Sequence, residues 1–107
     1  MILLLFACHG AAVDTGCSGT FPTCPASPPS WSADVQPIVA ANCVSCHTPG
    51  GAAGSAPLDT YADVVAHQQS MSGQVYSCAM PRAPNPPLSE PDRWLLLTWL
   101  ACGAPDN

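Results

Sequence analysis

The chain has 107 residues, of which 8% are charged, against roughly 25% in an average globular protein. Its two basic residues, Arg82 and Arg93, face seven carboxylates for a net charge of −5. That balance excludes a nucleic-acid binder and a polybasic membrane-surface protein, and 48% apolar residues exclude a solvated, disordered chain.

Residues 1–8 read Met-Ile-Leu-Leu-Leu-Phe-Ala-Cys, far short of the roughly 20 apolar residues that span a bilayer. Leu5-Phe6-Ala7-Cys8 resembles a bacterial lipobox, with a leucine three before the cysteine and a small residue just before it. The segment is read as a truncated lipoprotein-type signal with Cys8 as the lipidated N-terminus, and the alternative is an ordinary secretory signal without lipid. Either reading exports the chain, to the periplasm or outer surface, where disulfides are permitted.

Residues 9–30 hold Pro22, Pro25, Pro28 and Pro29 among Gly, Ser, Thr and Ala, a linker composition with no periodic apolar face. Cys17 and Cys24 lie inside it. From residue 31 to 107 the composition is that of a helical domain. Val35, Ile38 and Val39 recur at helical spacing between Ser32 and Asn42, with Pro37 tolerable only in a first turn. A second helix starts at Thr60, which has capping-box spacing to Asp63 and is followed by Tyr61, Val64 and Val65. Residues 68–88 read as an irregular loop ending in a proline-dense run after Met80. The last helix opens at Ser89, with Pro91 and Asp92 in its first turn, and ends at Gly103 and Pro105. No segment alternates as a strand does, so the expected fold class is all-α, about three helices.

Between the first two helices lies Cys43-Val44-Ser45-Cys46-His47. Two thiols three apart can form thioethers to the two vinyl groups of one haem, and the adjacent histidine then serves as proximal iron ligand. Rival readings are a dithiol redox pair, which wants a βαβ context, and half of a zinc site, which wants a second ligand pair downstream. The sequence supplies neither. The motif therefore points to haem c as the single cofactor, attached at Cys43 and Cys46 and ligated by His47.

Trp31, Asp34-Val35-Gln36-Pro37-Ile38, the Cys-x-x-Cys-His motif, Leu58, Tyr61, Met80-Pro81 and Trp99-Leu100-x-Cys102-Gly103-Ala104-Pro105 together resemble a small monohaem c-type cytochrome. The nearest likeness is to the planctomycete-type cytochrome c domains of bacterial exported lipoproteins, over about residues 31–105. The resemblance implies a few helices around one haem, with N- and C-terminal helices packed together. It also implies Cys43 and Cys46 as attachment points, His47 as proximal and Met80 as distal ligand.

Met80 is also the local favourite for the sixth position, because the prolines after it stiffen the backbone that presents its thioether. Met71 and His67 are the other two candidates for that position, but Met71, in Ser-Met-Ser-Gly, is expected rather to pack or lie exposed, and His67 rather to be a surface histidine. The Nδ1 of His47 should donate to a backbone carbonyl near Pro49, and Arg82 either pairs with a haem propionate or is solvated. Trp31, Trp94 and Trp99 close the haem pocket or the helix crossing, with plain packing favoured for the last two. With Cys8, Cys43 and Cys46 assigned, four cysteines remain, and local economy pairs Cys17–Cys24 and Cys78–Cys102.

The expected function is electron transfer by one low-spin haem c, without enzymatic chemistry, by a monomer serving redox partner proteins that present positive patches. Two alternatives stay open. One is a haem module with an open sixth position that binds or senses a small ligand, the other a disulfide-stapled, non-haem binding module.

Overall fold

The computed structural model describes Cys17 and residues 19–107. The lipid anchor expected at Cys8 lies outside the described residues. Among them the secondary structure is helical, with no strand: a π-helical turn, Trp31–Val35, runs into α1 (Gln36–Asn42), followed by α2 (Tyr61–Ala66), α3 (Gln68–Tyr76) and α4 (Glu90–Ala101). None is long and apolar enough to cross a membrane.

Local chemistry accounts for most boundaries. Ser30 caps the π-turn by accepting from the Ala33 amide, and Pro37 falls where that turn passes into α1. Thr60 accepts from Asp63 N at the start of α2, and Ser89 from Asp92 N at the start of α4. Gly103, at φ +86°, ends α4 in the left-handed region that a side chain would penalise. The stretch expected as irregular from residue 68 is instead α3. Its sequence carries a sparse apolar signal, Met71 and Val75 four apart, and tertiary burial of those two side chains supplies what propensity does not.

The core lies where α4 crosses the Trp31–Val35 turn and packs on α3. Leu96, Leu97 and Trp99 of α4 are fully buried against Val35 and Val64. Trp31 and Trp99 stand 5.3 Å apart by ring centroid, and Tyr61 meets Trp31 edge-on at 5.5 Å. The polar tips of this cluster bond to the C-terminal tail: Tyr61 Oη donates to Ala104 O at 2.7 Å and Trp99 Nε1 to Pro105 O at 3.0 Å. Asn107 accepts from the Trp31 amide through Oδ1 at 2.8 Å, which ties the tail to the π-turn. Trp31 and Trp99 therefore close a helix crossing.

The sequence-based pairing Cys17–Cys24 and Cys78–Cys102 is corrected by the structure. Cys17 pairs with Cys78 and Cys24 with Cys102, over Cα–Cα distances of 5.9 and 4.8 Å. Short-loop economy favours the local pairing in an unfolded chain. In the folded one, residues 19–30 are laid along the helices: Phe21 packs at 5.7 Å from the Tyr76 ring, and Tyr76 Oη donates to Gly19 O. This segment is a strap cross-linked to the end of α4 and to the residue that follows α3 by two, in place of the linker with its own small loop.

Arg93 is the one buried charged residue among the described residues. It reaches from α4 to the C-terminal end of α3, where Nε donates to Val75 O at 3.2 Å and Nη2 to Tyr76 O. Val75 O also accepts from Cys78 N at 3.2 Å, and α3 has no basic residue in its own last turn. The guanidinium lies between the Tyr76 and Trp94 rings, at 5.7 and 5.2 Å from their centroids.

Candidate functional site

The Cys-x-x-Cys-His motif is wound off the end of α1 as a run of turns. Cys43 N donates to Val39 O at 2.9 Å, and His47 N to Cys43 O at 3.0 Å. Residues 48–58 then fold back beneath the motif. Ala53 N donates to Cys46 O at 2.9 Å and Leu58 N to His47 O at 2.7 Å. This return requires Gly51, since a Cβ there would stand 2.5 Å from the Cys46 carbonyl oxygen.

The returning loop sets the histidine. His47 Nδ1 lies 2.7 Å from the carbonyl oxygen of Ala56. A carbonyl only accepts, so Nδ1 carries the hydrogen and the neutral ring keeps its lone pair on Nε2. That is the tautomer of a metal-ligating imidazole held by a backbone carbonyl. The partner expected near Pro49 is thus Ala56, nine residues from His47, supplied by the loop's return and not by sequence proximity.

His47, Cys43 and Cys46 line one side of a cavity with about 840 Å³ of empty space, counting the part open to solvent. Its enclosed part is about 180 Å³. Its apolar wall comes from Leu58, Met71, Val75, Pro81 and Leu88. Met80 lines it too, so the structure brings the motif and the expected distal methionine to the same cavity across 33 residues of sequence, from 47 to 80. Arg82 and Asn85 lie at the same wall, on the loop after Met80.

The two lesser candidates for the distal position reach the same cavity. Met71 is buried in α3 and lines the cavity, and His67, half-buried at the junction of α2 and α3, lines it as well. Neither Trp31, Trp94 nor Trp99 belongs to the lining.

Burial pushes the Cys43 thiol up from its ordinary 9.0 to about 11, so it stays protonated at neutral pH. A dithiol oxidoreductase wants the opposite, a thiolate stabilised at low pKa. Cys43 is the free cysteine among the described residues, while Cys46 is disulfide-bonded. No group of three or more His, Cys, Asp or Glu converges among the described residues in a way that would hold a bare metal ion. A haem iron asks for less, since the porphyrin supplies four of its ligands and the protein one or two. The chain matches no family model, no curated protein and no solved structure.

Proposed function

We propose that the protein is a monohaem c-type electron carrier, with Cys43 and Cys46 as thioether attachment points, His47 as proximal ligand and Met80 as distal ligand. The observation that carries this reading is the His47 ring. Its Nδ1 is tied to Ala56 O at 2.7 Å, and the ring lines an apolar cavity that also holds both motif cysteines and Met80. The donor set fits haem c: an imidazole with a free Nε2, two cysteines three apart beside it, and a thioether on the lining. When bound, the haem supplies one iron that cycles between Fe(III) and Fe(II).

The chain's own residues do the rest. His47 holds its lone pair on Nε2 through the Ala56 bond. The Met80 thioether favours the ferrous state relative to a second imidazole and so raises the potential. Leu58, Met71 and Val75 exclude water from that wall, which keeps charge in the site poorly screened. Arg82, at the cavity wall, is a suitable partner for a propionate. Cys43 is available as a thiol, and Cys46 must be released from its disulfide before a thioether can form.

The two long-range disulfides favour an oxidising, exported setting, in keeping with the lipobox-like start. A net charge of −5 favours redox partners with positive patches.

The test is expression in the periplasm of a host with cytochrome c maturation, followed by a pyridine haemochrome assay on the denatured, acid-extracted protein. A thioether-linked haem in the wild type, lost in the Cys43→Ser/Cys46→Ser variant, is the expected result. A colourless protein with both disulfides intact would instead establish a stapled non-haem module.

A further inference from the structure

The cavity holds two imidazoles, and the reading above uses one. His67 sits at the junction where α2 ends and α3 begins, and both helices hold its backbone. Its amide donates to Val64 O at 3.1 Å, and its carbonyl accepts from Met71 N at 2.9 Å. Its side chain repeats the arrangement seen at His47. Nδ1 lies 3.0 Å from the carbonyl oxygen of Asp63, one turn back on α2. That bond puts the hydrogen on Nδ1 and leaves the Nε2 lone pair unused. The ring is half-buried and lines the same cavity as His47 and Met80.

We propose, resting on the haem reading, that His67 is a reserve sixth ligand: its Nε2 takes the iron whenever the Met80 thioether is displaced. The chemistry balances without a co-reactant. One Fe–S bond breaks and one Fe–N bond forms. No electron is transferred, and no proton leaves, because Nε2 already carries a lone pair in this tautomer. The two ligands also differ in preference. Imidazole favours ferric iron relative to thioether, so replacement of a displaced Met80 by His67 is favoured more in the ferric than in the ferrous state, while Met80 stays the resting ligand. The supports differ in degree. His67 is fixed by backbone bonds from two helices, whereas Met80 has one, its amide donating to Gln74 O of α3 at 3.1 Å, and the proline-rich run after it is largely exposed.

The experiment uses the haem-loaded full chain as wild type, Met80→Ala and Met80→Ala/His67→Ala, with Met80→Leu as a second variant in case Met80→Ala folds poorly. Attachment is read first by pyridine haemochrome, and spin state and CO binding afterwards. Expected are a low-spin, six-coordinate ferric spectrum in both single variants, its loss in the double variant, and rapid CO binding to the ferrous form of the double variant alone. High-spin ferric single variants that bind CO as rapidly as the double variant would overturn the role of His67 and leave the haem reading intact. Absence of any haemochrome from the wild type would overturn the haem reading and this one with it.

Discussion

Gly51 passes so close beneath Cys46 that a Cβ on it would stand 2.5 Å from the Cys46 carbonyl oxygen. The same approach lets residues 48–58 return under the motif and bring Ala56 O to His47 Nδ1. Gly51→Ala is therefore expected to push the loop outward. The collision is with backbone, which cannot turn aside as a side chain would, so a cost of about 1–3 kcal/mol in urea unfolding is expected. Gly73→Ala is the control. It faces open space on an exposed part of α3, and stability should hold or rise by a few tenths of a kcal/mol to about 1.

Arg93→Met should be among the most damaging single changes to the fold. It removes charge-assisted donors from Val75 O and Tyr76 O while keeping most of the side-chain volume. Two such charge-assisted bonds amount to roughly 3 kcal/mol. Arg93→Lys should rescue little, because an ammonium cannot reproduce the forked geometry between the two rings. Chemical denaturation of both variants measures the difference. The exposed Glu90, 3.7 Å from Arg93, should matter far less when replaced by Gln.

Peptide mapping without reductant should recover Cys17 linked to Cys78 and Cys24 linked to Cys102. Each bridge closes a long stretch of chain, 61 and 78 residues apart, so replacing either pair by serine should cost roughly 4 kcal/mol in the chain-entropy description. Recovery of a Cys17–Cys24 peptide would contradict the strap.

In the protein without haem, the Cys43 proton is held more tightly than in the unfolded chain, because burial pushes its pKa from 9.0 to about 11. The resulting stabilisation is fully present below about pH 9 and lost as pH rises through about 11. Urea midpoints measured between these values should fall in the wild type and fall less in Cys43→Ala, whose other titrating groups are the same. Thioether formation removes the titrating thiol, so haem-loaded protein should lack this component.

Met71 and Met80 both line the cavity, but Met71 is buried in α3 and Met80 belongs to the loop after it. Met71→Leu should keep the ferric charge-transfer band of a His/Met haem and change stability by less than about 1.5 kcal/mol. Met80→Leu should abolish that band. The opposite outcome would make Met71 the ligand.

Parts of the fold were legible because the signals were local. Ser89, Pro91 and Gly103 mark the two ends of α4, and Thr60 with Asp63 marks the start of α2, since caps and glycine turns act over a few residues. Helix α3 was not legible. Two buried apolar side chains among Gln, Ser and Gly leave little periodicity, and the helix forms because α4 covers Met71 and Val75 and Arg93 closes its end. Within the site, the motif and Met80 stood out as residue types. His67 was a lesser candidate because it looks like any surface histidine, and Ala56 left no signal because it contributes only its backbone.

Composition alone excluded nucleic acid and polybasic membrane binding, because two arginines cannot assemble a basic surface however the chain folds. Local periodicity pointed to an all-helical class, and the Cys-x-x-Cys-His motif is legible because its spacing is a property of consecutive residues. Tertiary structure decided which distant groups meet. The four cysteines outside residues 1–8 and the motif allow three pairings, and only packing of the strap on Tyr76 and Trp94 selects among them. The ring tautomer at His47 and the second imidazole in its cavity were decided there too, since hydrogen bonds to backbone carbonyls depend on where the chain returns and leave no trace in side-chain identity.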